Sequence, residues 1–219
     1  MVIKGVIFDL DGTLIDTTHE IRYIFNQLLE SYSLPKRSFD FFKKNIGNGV
    51  EDLLQKSLPS GYAKDLSPML EKVKDLYAEN LNKKSHPFEG ITEILDLLKN
   101  NDIQIGIITN KMHHLAIRCV DMFFPSRHIM TIGAGHMYPR KPSPDSALLL
   151  ANEFKTKPSE ILFIGDSSID IKTARNAGMV PIGVGWGNGI SKELLDAGAQ
   201  KVFMKTHELK KYFETLLSY

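Results

Sequence analysis

Short apolar runs recur along the chain, each ending in polar or glycine-containing punctuation: Val2 to Phe8, Ile103 to Ile108, Ile129 to Ile132, Ile161 to Ile164 and Val180 to Val184. Such β-branched runs suit strands buried on both faces, as in a parallel sheet. Between the later runs lie helical spacings, at Ile91, Ile94, Leu95 and Leu98, at Leu115, Ile117, Val120 and Phe123, and over Ala147 to Phe154. Strands alternating with helices predict an α/β fold with a Rossmann-like, doubly wound parallel sheet.

The alternation lapses between Asp16 and about Ser85, where only helices fit. Thr17 and Glu20 have capping-box spacing, and Ile21, Ile24, Phe25, Leu28, Leu29 and Tyr32 follow on one helical face. Further helices fit Val50 to Leu58 and Asp65 to Asn82. The first strand needs neighbours, and the next candidate begins only at Ile103. The economical organisation is a core of residues 1–15 plus 87–219, with a small helical cap domain, residues 16–86, inserted after the first strand. No internal repeat or low-complexity tract interrupts this pattern.

Composition narrows the function classes. The 219 residues are 42% hydrophobic and 24% charged, with 27 basic and 26 acidic side chains for a net charge of +1. That is an ordinary globular mix with no electrostatic footprint for nucleic acid or an anionic membrane. No apolar run approaches the roughly 20 residues of a membrane span. One cysteine, Cys119, leaves no internal disulfide and fits a reducing cytosol. Met1 to Gly5 lead straight into a strand-like run without signal-peptide architecture, so a cytoplasmic protein is expected.

Candidate chemistry gathers at the carboxyl ends of the predicted strands, where open α/β sheets bind ligands. The first strand ends in Phe8-Asp9-Leu10-Asp11-Gly12-Thr13, the second in Ile108-Thr109-Asn110, and the fourth in Gly165-Asp166-Ser167-Ser168-Ile169-Asp170; Arg140-Lys141-Pro142 follows the third. Crowded carboxylates raise one another's pKa unless a cation is present, and a hard divalent ion such as Mg²⁺ resolves the conflict. Each piece alone has a plainer reading: a turn at Asp11-Gly12, a helix cap at Thr109-Asn110, a solvated Lys141, a capping Asp170. Their convergence on one sheet edge favours a site.

In these four motifs, taken in order, the chain resembles the haloacid dehalogenase superfamily of phosphatases, from the first strand through about Gly189, with a helical insertion similar to that superfamily's small cap. The resemblance implies that Asp9 is the nucleophile, forming an aspartyl-phosphate, and that Asp11 is the general acid and then base. It implies Mg²⁺ held by Asp9, Asp166 and the main-chain carbonyl of Asp11, phosphoryl oxygens held by Thr109 and the Asn110 N–H, and Lys141 paired with phosphate and Asp9. Asp170 is expected to orient a metal water or Lys141.

Asp11 argues against a dehalogenase, since ester cleavage needs an acid there. Phosphonate-cleaving relatives use a cap lysine, and the loop Asn45 to Leu54 has none, Lys43 and Lys44 lying just before it. Ile46-Gly47-Asn48-Gly49 is similar to the substrate-contacting cap loop of bacterial phosphoglycolate phosphatases, which makes Gly47, Asn48 and Gly49 candidate substrate contacts; the same stretch also reads as a helix start capped by Asn48. Phe88-Glu89-Gly90 stands where Tyr-Pro-Gly is more usual, and Ile169 where Asn is common. Gly183 to Gly189 lacks dinucleotide-binding spacing and reads as a sheet-edge loop, with Trp186 open to a packing role or to flanking the site. The adjacent His113 and His114 make a poor metal pair, and Cys119 reads as core.

The expected activity is therefore Mg²⁺-dependent hydrolysis of a small phosphorylated metabolite, 2-phosphoglycolate being a candidate, by a monomer or homodimer. A sugar phosphomutase on the same core and a non-catalytic phospho-acceptor are the alternatives.

Overall fold

The computed structural model describes residues 3–62, 65–135 and 138–218. The main sheet has six parallel strands: β1 (Gly5–Phe8), β4 (Gln104–Met112), β5 (Met130–Ala134), β6 (Ile161–Gly165), β7 (Val180–Val184) and β8 (Lys201–Phe203), in the spatial order β5-β4-β1-β6-β7-β8. β1 lies at the centre, with Phe8 level with Ile107 of β4 and Ile164 of β6. Val2, where the first predicted run began, lies outside the described residues.

Burial on both faces explains why these strands are nearly continuous apolar runs. Successive β1 side chains point to opposite faces: Val6 and Phe8 join one core with α5 (Ile91–Asn100), α6 (His113–Phe123) and α10 (Thr206–Leu217). Ile7 joins another with α7 (Asp145–Glu153) and α8 (Ser168–Asn176). Helices thus cover both faces, the doubly wound arrangement. A short α9 (Ser191–Asp196) connects β7 to β8.

Between β1 and β4 the chain forms α1 (Thr18–Ser31), α2 (Phe39–Asn45), α3 (Val50–Ser57) and α4 (Ser67–Asn80), with no strand among the described residues 17–85. Ile24, Phe25 and Leu28 of α1 pack with Phe42, Leu54 and Val73 in a hydrophobic cluster separate from those of the sheet, which Leu115 of α6 joins from below. A two-stranded antiparallel pair, β2 (Ile15–Asp16) with β3 (His86–Pro87), carries the chain into and out of these helices.

Three local expectations are corrected. The Thr17–Glu20 capping box does not form: Thr17 makes no side-chain cap bond, and Glu20 is buried, its Oε2 accepting from the Lys84 N–H at 3.2 Å. The returning linker, not the helix start, takes that carboxylate. Asn48 does not cap α3, because the N-cap is Gly49, at φ 94°, with no side-chain bond. Thr109-Asn110 does not cap a helix either, since β4 runs through Met112, with a register shift between Thr109 and Met112, before α6 begins at His113.

Candidate active site

Because β1, β4 and β6 are parallel neighbours, their carboxyl ends deliver Asp9, Thr109 to Lys111, and Asp166 to one edge of the sheet, and the loop after β5 adds Lys141. Asp9 follows β1 directly, and its N–H still donates to the Ile164 carbonyl at 2.9 Å, which fixes its direction. Asp9, Thr109, Asn110, Lys141, Asp166 and Asp170 are all buried.

Lys141 is the hub. Its Nζ lies 2.7 Å from Asp9 Oδ1 and 2.6 Å from Asp170 Oδ1. Asp170 in turn accepts from the Ser167 N–H at 3.0 Å in the capping box that opens α8, so one carboxylate starts a helix and fixes the lysine. Asp170 thus sits in the capping box of α8 and is paired with Lys141 at the same time.

Asp166 is clamped from three sides. Its Oδ1 accepts from Thr13 Oγ1 at 3.5 Å and its Oδ2 from the Asn188 N–H at 2.9 Å. Gly12, at φ 85°, passes so close that any Cβ would strike the Asp166 carboxylate. Gly187 likewise lies flat on the Gly12 carbonyl, and Trp186 Nε1 donates to the Thr13 carbonyl at 3.0 Å. The glycine-rich loop therefore packs on the Asp11–Thr13 turn, and Trp186 has the packing role.

Electrostatics show what is missing from charge balance. Burial and the neighbouring Asp170 push Asp9 up to about 7. Burial, Asp9 and Asp170 raise Asp166 well above the usual carboxylate range. Burial opposes the charge on Lys141, yet Asp170 and Asp9 more than offset it, and its pKa is raised. Oxygens of Asp9, Asp166 and Asp170 lie within 4.8 Å of one another. Three carboxylates face one ammonium, an excess of two negative charges that a single divalent cation would balance. An all-carboxylate donor set without sulfur or imidazole suits Mg²⁺.

No motif singles out Lys111. Its Nζ is buried 3.0 Å from Asp11 Oδ1, over the Tyr77 ring of α4 at 5.5 Å from the centroid. Burial opposes its charge most strongly, but Asp11, Cys119 and Tyr77 together more than offset it, and the Lys111 pKa is raised. Thr109-Asn110 reads as a helix cap before Lys111, and the polar stretch Thr109-Asn110-Lys111 carries no strand signal, although β4 runs through it to Met112.

Asp9 and Asp11 share a cleft with Thr109, Asn110, Gly47 and Gly49, roofed by the inserted helices. Asn48 borders a different cleft, on the Asp166 side, together with Lys43 and Lys44. No cap lysine thus reaches the Asp9–Asp11 cleft among the described residues that line it. His113 Nδ1 accepts from the Gly133 N–H at 3.2 Å, and Cys119 is buried, with its thiol pushed up to about 12, chiefly by burial.

The profile of the haloacid dehalogenase-like hydrolases matches residues 6–184, from β1 through β7. The chain belongs to the haloacid dehalogenase-like hydrolases. Among its relatives, a phosphoglycolate phosphatase of Nitrosococcus oceani is 28% identical over 211 residues, covering 94% of each chain. An N-acetylmuramic acid 6-phosphate phosphatase of Pseudomonas aeruginosa is 27% identical over 189 residues, covering 84% of this chain and 85% of that one. A crystal structure from Lactobacillus delbrueckii subsp. bulgaricus, described as a putative phosphoglycolate phosphatase, superposes with a TM-score of 0.89 at 25% identity, covering 97% of this chain and 99% of that one. This haloacid dehalogenase-like hydrolase thus shares its fold with that structure over nearly its whole length. No helix among the described residues is long and apolar enough to cross a membrane.

Proposed function

We propose that the chain is a Mg²⁺-dependent phosphatase of small phosphorylated metabolites working through an aspartyl-phosphate. The chain is a phosphoric monoester hydrolase, of the class its relatives represent. The observation that carries the finer reading is the buried Asp9, held at 2.7 Å by Lys141 and sharing its cleft with Asp11.

In the first step an Asp9 carboxylate oxygen attacks phosphorus, the bond from phosphorus to the ester oxygen breaks, and Asp11 gives that oxygen a proton. In the second, Asp11 takes a proton from a water as its oxygen attacks phosphorus, the bond from phosphorus to the Asp9 oxygen breaks, and Asp9 leaves as a carboxylate with release of inorganic phosphate. Thr109, the Asn110 N–H and Lys141 hold the phosphoryl oxygens as charge spreads over them. Asp9, Asp166 and the Asp11 carbonyl would hold Mg²⁺, with Asp170 fixing Lys141; the ion would supply charge neutralisation for the phosphoryl group. Gly47 and Gly49 close the cleft from the cap, where main-chain groups approach a ligand closely.

Free phosphate release, measured with and without Mg²⁺ on a panel including 2-phosphoglycolate and sugar phosphates, tests the reading. A sugar phosphomutase would yield an isomerised sugar phosphate instead, and a phospho-acceptor would stay phosphorylated. An Asp11 that faces the nucleophile's cleft favours turnover over a stable acyl phosphate.

A further inference from the structure

The leaving group of the ester must lie on the side where Asp9 and Asp11 open together, because Asp11 has to reach its oxygen. That cleft encloses about 500 Å³ of non-atom space, its open mouth included. Beyond the two carboxylates and the Thr109–Lys111 strand end, Gly47, Gly49 and Tyr77 line it together with an apolar majority, Ile21, Ile46, Val50, Leu53, Met112 and Leu115. The cleft on the other side, rimmed by lysines, contains neither Asp9 nor Asp11.

Among the described residues, the lysines and the arginine near the leaving-group cleft are already engaged. Lys111 lies against both Asp11 oxygens, at 3.0 and 3.5 Å, with the Tyr77 ring beneath it. Lys141 is bound to Asp9 and Asp170. Arg140, beside Gly49, pairs with Glu51 at 2.9 Å. The α3 N-terminus, which would otherwise attract an anion, carries Glu51 and Asp52 in its first turn. A carboxylate brought against this wall loses water and, among the described residues that line it, meets no cationic side chain that is not already paired.

Building on the phosphatase reading, we infer that this cleft selects phosphate esters whose leaving group is uncharged and partly apolar, and discriminates against those ending in a carboxylate. Ile46, Val50 and Met112 supply the wall that the leaving group touches, and Lys111 serves Asp11 instead of the substrate. The substrate class is thus an alkyl or similarly neutral phosphate ester, not a phosphorylated hydroxy acid.

A matched pair tests this. Propyl phosphate and 3-phosphooxypropanoate share the ester bond and carbon count and differ in the terminal carboxylate. With the full chain in Mg²⁺, kcat/KM for propyl phosphate is expected to exceed that for its partner by about 10-fold or more. Met112→Lys, similar in length and half-buried, is expected to narrow that ratio by about 10-fold by placing an unpaired ammonium in the wall; if this variant does not fold, the wild-type ratio decides alone. Equal rates or a preference for the carboxylate ester overturn the inference, as does turnover of p-nitrophenyl phosphate with neither member of the pair. Absence of release from all three esters overturns the phosphatase reading, and the inference with it.

Discussion

The side-chain amide of Asn110 donates a hydrogen bond to the carbonyl of Gly47 at 3.0 Å, tying the end of β4 to the loop of the inserted helices. The same amide donates to the Lys141 carbonyl at 3.3 Å, and its Oδ1 accepts from the Lys141 N–H at 3.0 Å. One residue therefore sets the backbone of the lysine that grips Asp9 and the position of the loop that covers it. Asn110→Ala removes all three bonds. A loss of about 1–3 kcal/mol in stability is expected, with kcat/KM lower by about 10-fold or more; denaturant titration and phosphate release check it.

The loop itself divides by direction. Gly49, at φ 94°, has the Asn110 carbonyl and the Arg140 guanidinium at 3.3 and 3.4 Å from where a Cβ would sit, so Gly49→Val should force the loop off the core and cut kcat/KM by about 10-fold or more. Asn48 borders the other cleft, and Asn48→Ala is expected to change kcat/KM less than about 3-fold. Equal damage from both substitutions would mean that the loop acts through general stability.

Asp9→Asn should keep the fold and lower turnover at least about a thousandfold, or about 4 kcal/mol, because an amide is a poor nucleophile. Circular dichroism and phosphate release decide it, and retention of a tenth of wild-type activity would remove Asp9 from the nucleophile role. Asp166→Ala should raise the Mg²⁺ requirement sharply, chelation should silence the wild type, and Ca²⁺ should inhibit through its looser coordination.

The metal-free protein should lose stability as pH rises. Asp9 is pushed from 3.8 to about 7 in the folded chain, mainly by burial, and Asp166 is raised too. Between pH 4 and 7 the folded state therefore binds more protons than the unfolded one, and the stabilisation present below pH 4 is lost as pH climbs through 7. Thermal unfolding in chelator should show Tm falling over this range, with a smaller fall in Asp9→Asn. Mg²⁺ added above pH 7 should raise the wild-type Tm.

Lys111 and Asp11 should be energetically coupled. A double-mutant cycle of Lys111→Met and Asp11→Asn is expected to give a coupling of about 1–3 kcal/mol in stability, and Lys111→Met alone should lower kcat while leaving the Mg²⁺ requirement near wild type. Additive effects would show that the 3.0 Å contact is incidental.

The sheet was legible because strands buried on both faces leave long apolar runs, and the candidate site because Asp9, Thr109 and Asp166 each follow such a run, with Lys141 in the loop beyond another. β8 has three residues and β2 and β3 two each, held by pairing partners and not by pattern, so periodicity could not show them. Glu20 has capping-box spacing but is drawn to Lys84, a contact 64 residues away. Lys111 and Tyr77 come from elements far apart in sequence and meet only when α4 roofs the sheet edge, which no local pattern encodes.

The pairing of Ile15–Asp16 with His86–Pro87 has a consequence for how such a protein can be remodelled. Both crossings of the chain lie side by side, so whatever is spliced between them begins and ends at the same spot, and its length imposes no stretch on β1 or β4. The inserted helices are in this sense entered and left through one doorway: a segment of another length with adjacent termini could stand there without pulling on the sheet, provided it also replaced the contacts that Gly47 and Tyr77 make with Asn110 and Lys111.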